Sequence, residues 1–339
     1  MTDSPAPRRV LYLSRADVVA AGGGSSHLFI EAVERALVLH AEGDVVQPLK
    51  PYLRWRPNGH VADRIIAMPA YVGGDEPVAG LKWIGSKHDN HRLGLDRASA
   101  LIVLNDPDTH YPIALLEGGL ISGWRTAAVT ALAARHLARR GFGSISCTGS
   151  GPVGLMQVTA LLEHFDAVEE VHLFDTRPCI AHDAADRLSQ RFPGTAVSVA
   201  PSGAEAVAAG EVVITATVAE APWLPFAWLQ PGTFLANVSL MDAHDDVYLR
   251  ADKVVIDDWD QCNREGKTIH RLAQAGLLSR EGVHAELGQV LAGFRPGRES
   301  DEEIVVLNPM GLAVEDVACA QAVHHRALDA GVGTWLDLA

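Results

Sequence analysis

A chain of 339 residues exceeds what one ordinary hydrophobic core fills and predicts two domains. Its 48% apolar and 21% charged residues are those of a soluble globular protein, and a net charge of −14 argues against a nucleic-acid wrapper or an anionic-membrane binder. The four cysteines, Cys147, Cys179, Cys262 and Cys319, form no CxxC pair and read as free thiols of a reducing compartment, with no metal site. Met1–Ser4 starts no basic-then-apolar leader, and no apolar run reaches the ~18 residues of a membrane span, so a cytoplasmic location is expected.

In chain order, Val10–Leu13 predicts a short strand, with Ser14 or Asp17 capping a brief turn. Phe29, Ala32, Val33 and Ala36 recur at helical spacing and predict a helix from about His27 to Ala41. A strand-rich region follows, through Pro48–Leu53, Ile65–Met68, Val78–Ile84 and Ala100–Leu104, whose spacings suggest a mixed or antiparallel sheet. Asn105-Asp106-Pro107-Asp108 is a turn signature, and Leu116–Arg139 has the composition of a close-packed helix.

Ser144–Thr148 then reads as a buried strand that runs straight into Gly149-Ser150-Gly151-Pro152-Val153-Gly154, followed by an apolar-periodic helix and a second strand, Val171–Phe174, closed by Asp175. This order of parts predicts a Rossmann-type dinucleotide site. Three glycines serve tight turn, backbone approach to a pyrophosphate, and close helix packing. The helix start offers free N–H groups to phosphate. Asp175 would accept hydrogen bonds from the ribose hydroxyls, which favours NAD as cofactor, while Arg177 keeps NADP open.

Further short strands at Val212–Ala216, Thr233–Val238 and Lys253–Asp257, with Ile304–Leu307 last, predict a parallel sheet, and a late helix covers about Val314–Leu328. The expected fold is α/β: a Rossmann domain over 130–311, and a discontinuous α+β substrate-binding and dimerisation domain over 1–129 and 312–339.

Several side chains suit a nicotinamide enzyme acting on an amino acid. Arg54, Arg56, Arg64 and Arg125 offer forks for carboxylates. An unpaired guanidinium among Trp124, Thr126, Ala127 and Ala128 would be costly, and either a ligand or an internal ion pair relieves that cost. Lys82 lies in a strand, where lysines more often face solvent. Asp242 follows an inferred strand end, the place where ligands collect on parallel sheets.

Together, Gln47–Arg54, Asn58–His60 with Ala62–Pro69, Lys82–Asn90, Arg125–Ala128, Asp257–Trp259 with Gln261–Glu265, and Leu307–Gly311 resemble the ornithine cyclodeaminase/mu-crystallin family over nearly the full length. The resemblance implies that Arg54 is a substrate-binding arginine, Lys82 the active-site lysine, Arg125 the carboxylate-binding arginine, and Asp242 the catalytic aspartate. It also implies a homodimer formed through the first domain's sheet. Where ornithine cyclodeaminases look as though they hold the distal amine with a glutamate, Ile66 stands here, with Arg64 nearby. That suits a substrate with extra carboxylates, which Arg64 or Lys87 would meet. The branch of the family implied oxidises a glutamate whose amine is joined to the β-carbon of an alanine unit, then hydrolyses it to 2,3-diaminopropionate and 2-oxoglutarate. Ornithine cyclodeamination, ketimine reduction and simple amino-acid dehydrogenation are the alternatives.

Overall fold

The computed structural model describes residues 8–55, 60, 63–239, 241–264 and 267–338. Arg56, Asn58, Gly59, Ala62 and Glu265, named above, lie outside them. The chain divides into two compact units: Met1–Arg125 with Ala313–Ala339, and Thr126–Leu312.

The first unit opens with β1 (Arg9–Leu13) and α1 (Arg15–Val18), where Ser14 and Asp17 form a reciprocal capping box. Then come α2 (His27–Glu42), β2 (Val45–Val46), β3 (Tyr52–Leu53), β4 (Arg64–Val72), β5 (Val78–Ser86), β6 (Ala98–Asn105) and β7 (Pro112–Glu117). They build a mixed sheet in the order β1-β7-β6-β5-β4-β2, with β3 also on β4 and the closing strand Thr334–Asp337 on the outer edge of β1. The helix Ala313–Ala330 packs on α2 and across β4, β5 and β6. Strand β7 corrects the expectation that helix begins at Leu116. Pro112–Glu117 alternates inward and outward and pairs in parallel with β1. The helix α3 (Gly118–Leu137) starts only after Glu117, whose carboxylate accepts the N–H groups of Gly119 and Leu120 at 2.7 and 3.0 Å.

Register decides which side chains face in. Met68, Lys82, Ile102 and Leu116 are successive cross-strand partners, and all four are buried. The adjacent row puts Ala67, Trp83 and Leu101 in register on the opposite face.

The second unit carries the parallel sheet. Its strands are β8 (Ser144–Thr148), β9 (Glu170–Phe174), β10 (Ala196–Val199), β11 (Val212–Thr215), β12 (Phe234–Asn237), β13 (Lys253–Ile256), β14 (Ala285–Glu286) and β15 (Val305–Asn308), with α4 (Pro152–His164) after β8 and α5 (Pro178–Arg191) after β9. In space they run β10-β9-β8-β11-β12-β15-β13-β14, every pair parallel. The chain winds outward from β8 one way, then returns to β11 on its other side, so the switch point lies between β8 and β11. The last strand, β15, sits inside the sheet between β12 and β13, a place its position in the chain gives no hint of. β11, β12, β13 and β15 are buried at every position, as a sheet covered on both faces requires. No helix among the described residues is long and apolar enough to cross a membrane.

Candidate functional site

In the first unit, Lys82 is 1% exposed. A buried ammonium needs partners. Lys82 Nζ lies 2.5 Å from Asp316 Oδ2 and donates to Ser122 Oγ at 3.1 Å. Ser122 and Arg125 are three residues apart on α3 and so share a face. Arg125 donates from Nε to the other oxygen of Asp316 at 2.9 Å, and from Nη1 to Glu315 Oε2 at 2.7 Å. Asp316 thus bridges the lysine and the arginine, and two cations are balanced by two anions. Burial pulls the Lys82 pKa down, Asp316 pulls it back and Arg125 repels, leaving it at about 8. Burial also works against the Arg125 charge, but Asp316 and Glu315 outweigh it and raise its pKa. The remaining Arg125 nitrogen, Nη2, has no hydrogen bond among the described residues.

Lys50, also buried, adds a further positive charge that lowers the Lys82 pKa. The guanidinium carbons of Arg54 and Arg64 sit 5.3 and 5.2 Å from the Tyr52 ring centroid, so one aromatic ring serves both. Lys87 Nζ is 2.6 Å from Asp63 Oδ2, and Asp63 Oδ1 accepts the His88 N–H at 2.7 Å. Lys87 therefore comes with an acid of its own.

In the second unit, the glycine turn has three distinct jobs. Gly149 has φ +88°, and a Cβ on it would meet the Ala216 carbonyl oxygen at 2.6 Å. A Cβ on Gly154 would fall on the Gly149 carbonyl oxygen. A Cβ on Gly151 would meet nothing within 4 Å, so this backbone faces open space at the start of α4, where no side chain caps the helix. Ser150 and Asp175 complete the cradle: the Ser150 N–H donates to Asp175 Oδ2 at 3.0 Å and the Arg177 N–H to Asp175 Oδ1 at 2.9 Å. Pro152 is the first helical residue and Val153 follows it, and the Arg177 guanidinium is 3.8 Å from Asp175. An open glycine, an uncapped helix start and a pinned acid at the end of the next strand fit a dinucleotide.

Asp242 is fully buried beyond β12. Its Oδ1 accepts from Thr217 Oγ1 at 2.5 Å, and its Oδ2 has no hydrogen-bond partner among the described residues. Below it, the ends of β11, β12 and β15 are cross-tied. Asn237 accepts from Thr215 at 2.6 Å and donates to Tyr248 at 2.7 Å, and its backbone oxygen accepts from Asn308 at 3.0 Å. Asp257 Oδ2 takes the N–H groups of Met310 and Gly311, each at 2.6 Å. The Asp257 and Asn308–Gly311 stretches therefore work as a structural clamp.

The structure brings Lys82 and Arg125 together through Asp316, and it links Asp242 to the glycine turn through Thr217. Sequence reasoning missed Ser122, Thr217, Glu315 and Asp316. Two adjacent acids among Val314, Val317 and Ala318, on a helix otherwise built for burial, were the available signal for the last pair.

A doubly wound parallel sheet, with the glycine turn beside its switch point and an acid closing the second strand, defines a Rossmann-type dinucleotide-binding protein; the first unit adds a buried lysine–arginine pair. The chain belongs to the ornithine cyclodeaminase/mu-crystallin family, whose model matches residues 14–331. It is 49% identical over 333 residues to the N-((2S)-2-amino-2-carboxyethyl)-L-glutamate dehydrogenase of Staphylococcus aureus (strain NCTC 8325 / PS 47), covering 98% of this chain and 99% of that one. Among solved structures, an archaeal alanine dehydrogenase dimer with bound NAD superposes with a TM-score of 0.88 at 32% identity, over 98% of this chain and 100% of that one. The Thermococcus litoralis Δ1-pyrroline-2-carboxylate reductase in complex with NADH and L-proline gives 0.89 at 29% identity, over 96% and 99%.

Proposed function

We propose that this protein is an NAD-dependent dehydrogenase that converts N-((2S)-2-amino-2-carboxyethyl)-L-glutamate and water to L-2,3-diaminopropionate and 2-oxoglutarate, forming NADH. The observation that carries this reading is the 49% identity to the staphylococcal dehydrogenase across nearly the whole of both chains. The pocket chemistry agrees with it: Ile66 offers no acid to a distal amine, while Arg54, Arg64, Lys87 and Arg125 suit a substrate with three carboxylates.

The residues of the glycine turn, Gly149–Gly154, with Asp175 and Arg177, would hold the dinucleotide, which when bound accepts hydride from the glutamyl Cα. Arg125 keeps Nη2 for a glutamyl carboxylate, its other nitrogens being held by Asp316 and Glu315. Lys82 orients that carboxylate and stabilises developing charge. Arg54 binds a glutamyl carboxylate as well, and Arg64 or Lys87 meets the carboxylate of the diaminopropionate half. Asp242 takes a proton from the water that adds to the substrate imine, and returns it to the departing amine as the carbinolamine collapses.

A homodimer is part of the proposal. Trp83 and Leu101, cross-strand partners on the first unit's sheet, are 41% and 45% exposed and form an apolar surface suited to a second copy. The unpaired state of all four cysteines supports a cytoplasmic location.

The test is to incubate purified protein with the conjugate and NAD. NADH, 2-oxoglutarate and diaminopropionate are expected in equal amounts. Conversion of ornithine to proline and ammonia without net NADH, or NADH consumption on a cyclic ketimine with no turnover of the conjugate, overturns the reading.

A further inference from the structure

We infer that Thr217 is the positioning residue for Asp242, tying Oδ1 so that Oδ2 is the oxygen that exchanges protons with water and substrate. The inference rests on Asp242 being the catalytic carboxylate.

Thr217 lies two residues beyond β11 and is held from several sides. Its N–H donates to Ser239 Oγ at 2.7 Å, and the Ser239 N–H donates to the Thr215 oxygen at 3.0 Å. Its hydroxyl oxygen accepts the Ala219 N–H at 3.0 Å, so the hydroxyl proton is what it has left to give. That proton points to Asp242 Oδ1, 2.5 Å away.

The backbone of Asp242 is fixed as well. Its carbonyl accepts the N–H groups of Trp223 and Leu224, both at 2.9 Å, and Leu224 and Ala243 form a parallel bridge. With backbone and one oxygen fixed, the carboxylate cannot turn without losing the Thr217 bond. Oδ2 is left buried and unpartnered among the described residues. Such an atom carries a desolvation penalty that a donor would relieve, and an O–H of water or an N–H of the substrate amine is the class of group that fits. Thr217 also adjoins the glycine turn, since a Cβ on Gly149 would lie 3.0 Å from its backbone nitrogen. One residue thus couples the acid to the part of the unit that would hold the dinucleotide.

The experiment compares Thr217→Val, Thr217→Ser and Thr217→Ala with Asp242→Asn, measuring NADH formation from the conjugate and NAD binding by protein fluorescence. Thr217→Val and Thr217→Ala should lower kcat about 100-fold, as a misaligned catalytic group does, with KM for the conjugate and NAD affinity near wild type. Thr217→Ser should recover most of the rate. Serine and alanine differ only in the hydroxyl, so that pair decides the matter even where the valine variant does not fold. Equal losses in serine and alanine, full activity in alanine, or loss of NAD affinity in step with kcat each overturn the assignment. If Asp242→Asn turns over normally, the reading of Asp242 fails first and this inference with it. If Asp242→Asn is inactive while Thr217→Ala is not, only Thr217 is removed.

Discussion

Asp316 shows how much depends on one carboxylate. Each of its oxygens serves a different cation, and both cations are buried. Asp316→Asn removes one of two anions facing two cations, and breaking a buried pair this way costs roughly 3–5 kcal/mol. A lowered denaturation midpoint is therefore expected alongside weak activity. The Lys82 ammonium exists below its pKa of about 8, so kcat/KM should fall as pH rises through that value. Since Asp316 holds that pKa up, the falling limb should move to lower pH in whatever Asp316→Asn protein folds; an unmoved limb would assign it to another group. Asp242→Asn should depress turnover strongly while leaving NAD binding nearly intact, and equal loss of both would make Asp242 structural. At this scale Lys82 was visible in the sequence but its direction was not. A lysine between Leu81 and Trp83 fits either face of a strand, and only its pairing with Met68 and Ile102 turns it inward.

At the scale of elements, the glycine turn separates folding from binding. Gly154→Ala puts a methyl onto the Gly149 carbonyl, and overpacking of that kind costs about 1–3 kcal/mol, read as a lower melting temperature of the apoprotein. Gly151→Ala meets nothing within 4 Å and should melt like the wild type, yet bind NAD at least ~10-fold more weakly, because the methyl enters the space the pyrophosphate needs. A Gly151→Ala protein of unchanged NAD affinity would exclude this turn as the phosphate cradle. These jobs were legible because turn, strand and helix are set by neighbours in sequence. Strand β7 was not: its short run ends at Glu117 against the alanine-rich α3, and nothing local marks the change until Glu117 caps the helix.

For the whole molecule, the exposed Trp83 and Leu101 carry the remaining prediction. Trp83→Asp should shift sedimentation from dimer to monomer while the far-ultraviolet circular dichroism stays that of the wild type; a wild-type dimer would place the interface elsewhere. Hydrophobic periodicity, glycine spacing and the acid after β9 were enough to read a Rossmann unit and a mixed-sheet unit from the chain alone, since each reports the conformation or burial of its own segment. Partners are another matter. Arg125 and Asp316 stand 191 positions apart, and no pattern within either segment names the other. The return of the last helix onto β4, β5 and β6, the insertion of β15 between β12 and β13, and the bond from Thr217 to Asp242 were decided by tertiary structure. Backbone periodicity encodes which face is buried, while the identity of what meets that face is set only when distant segments compete for the same core.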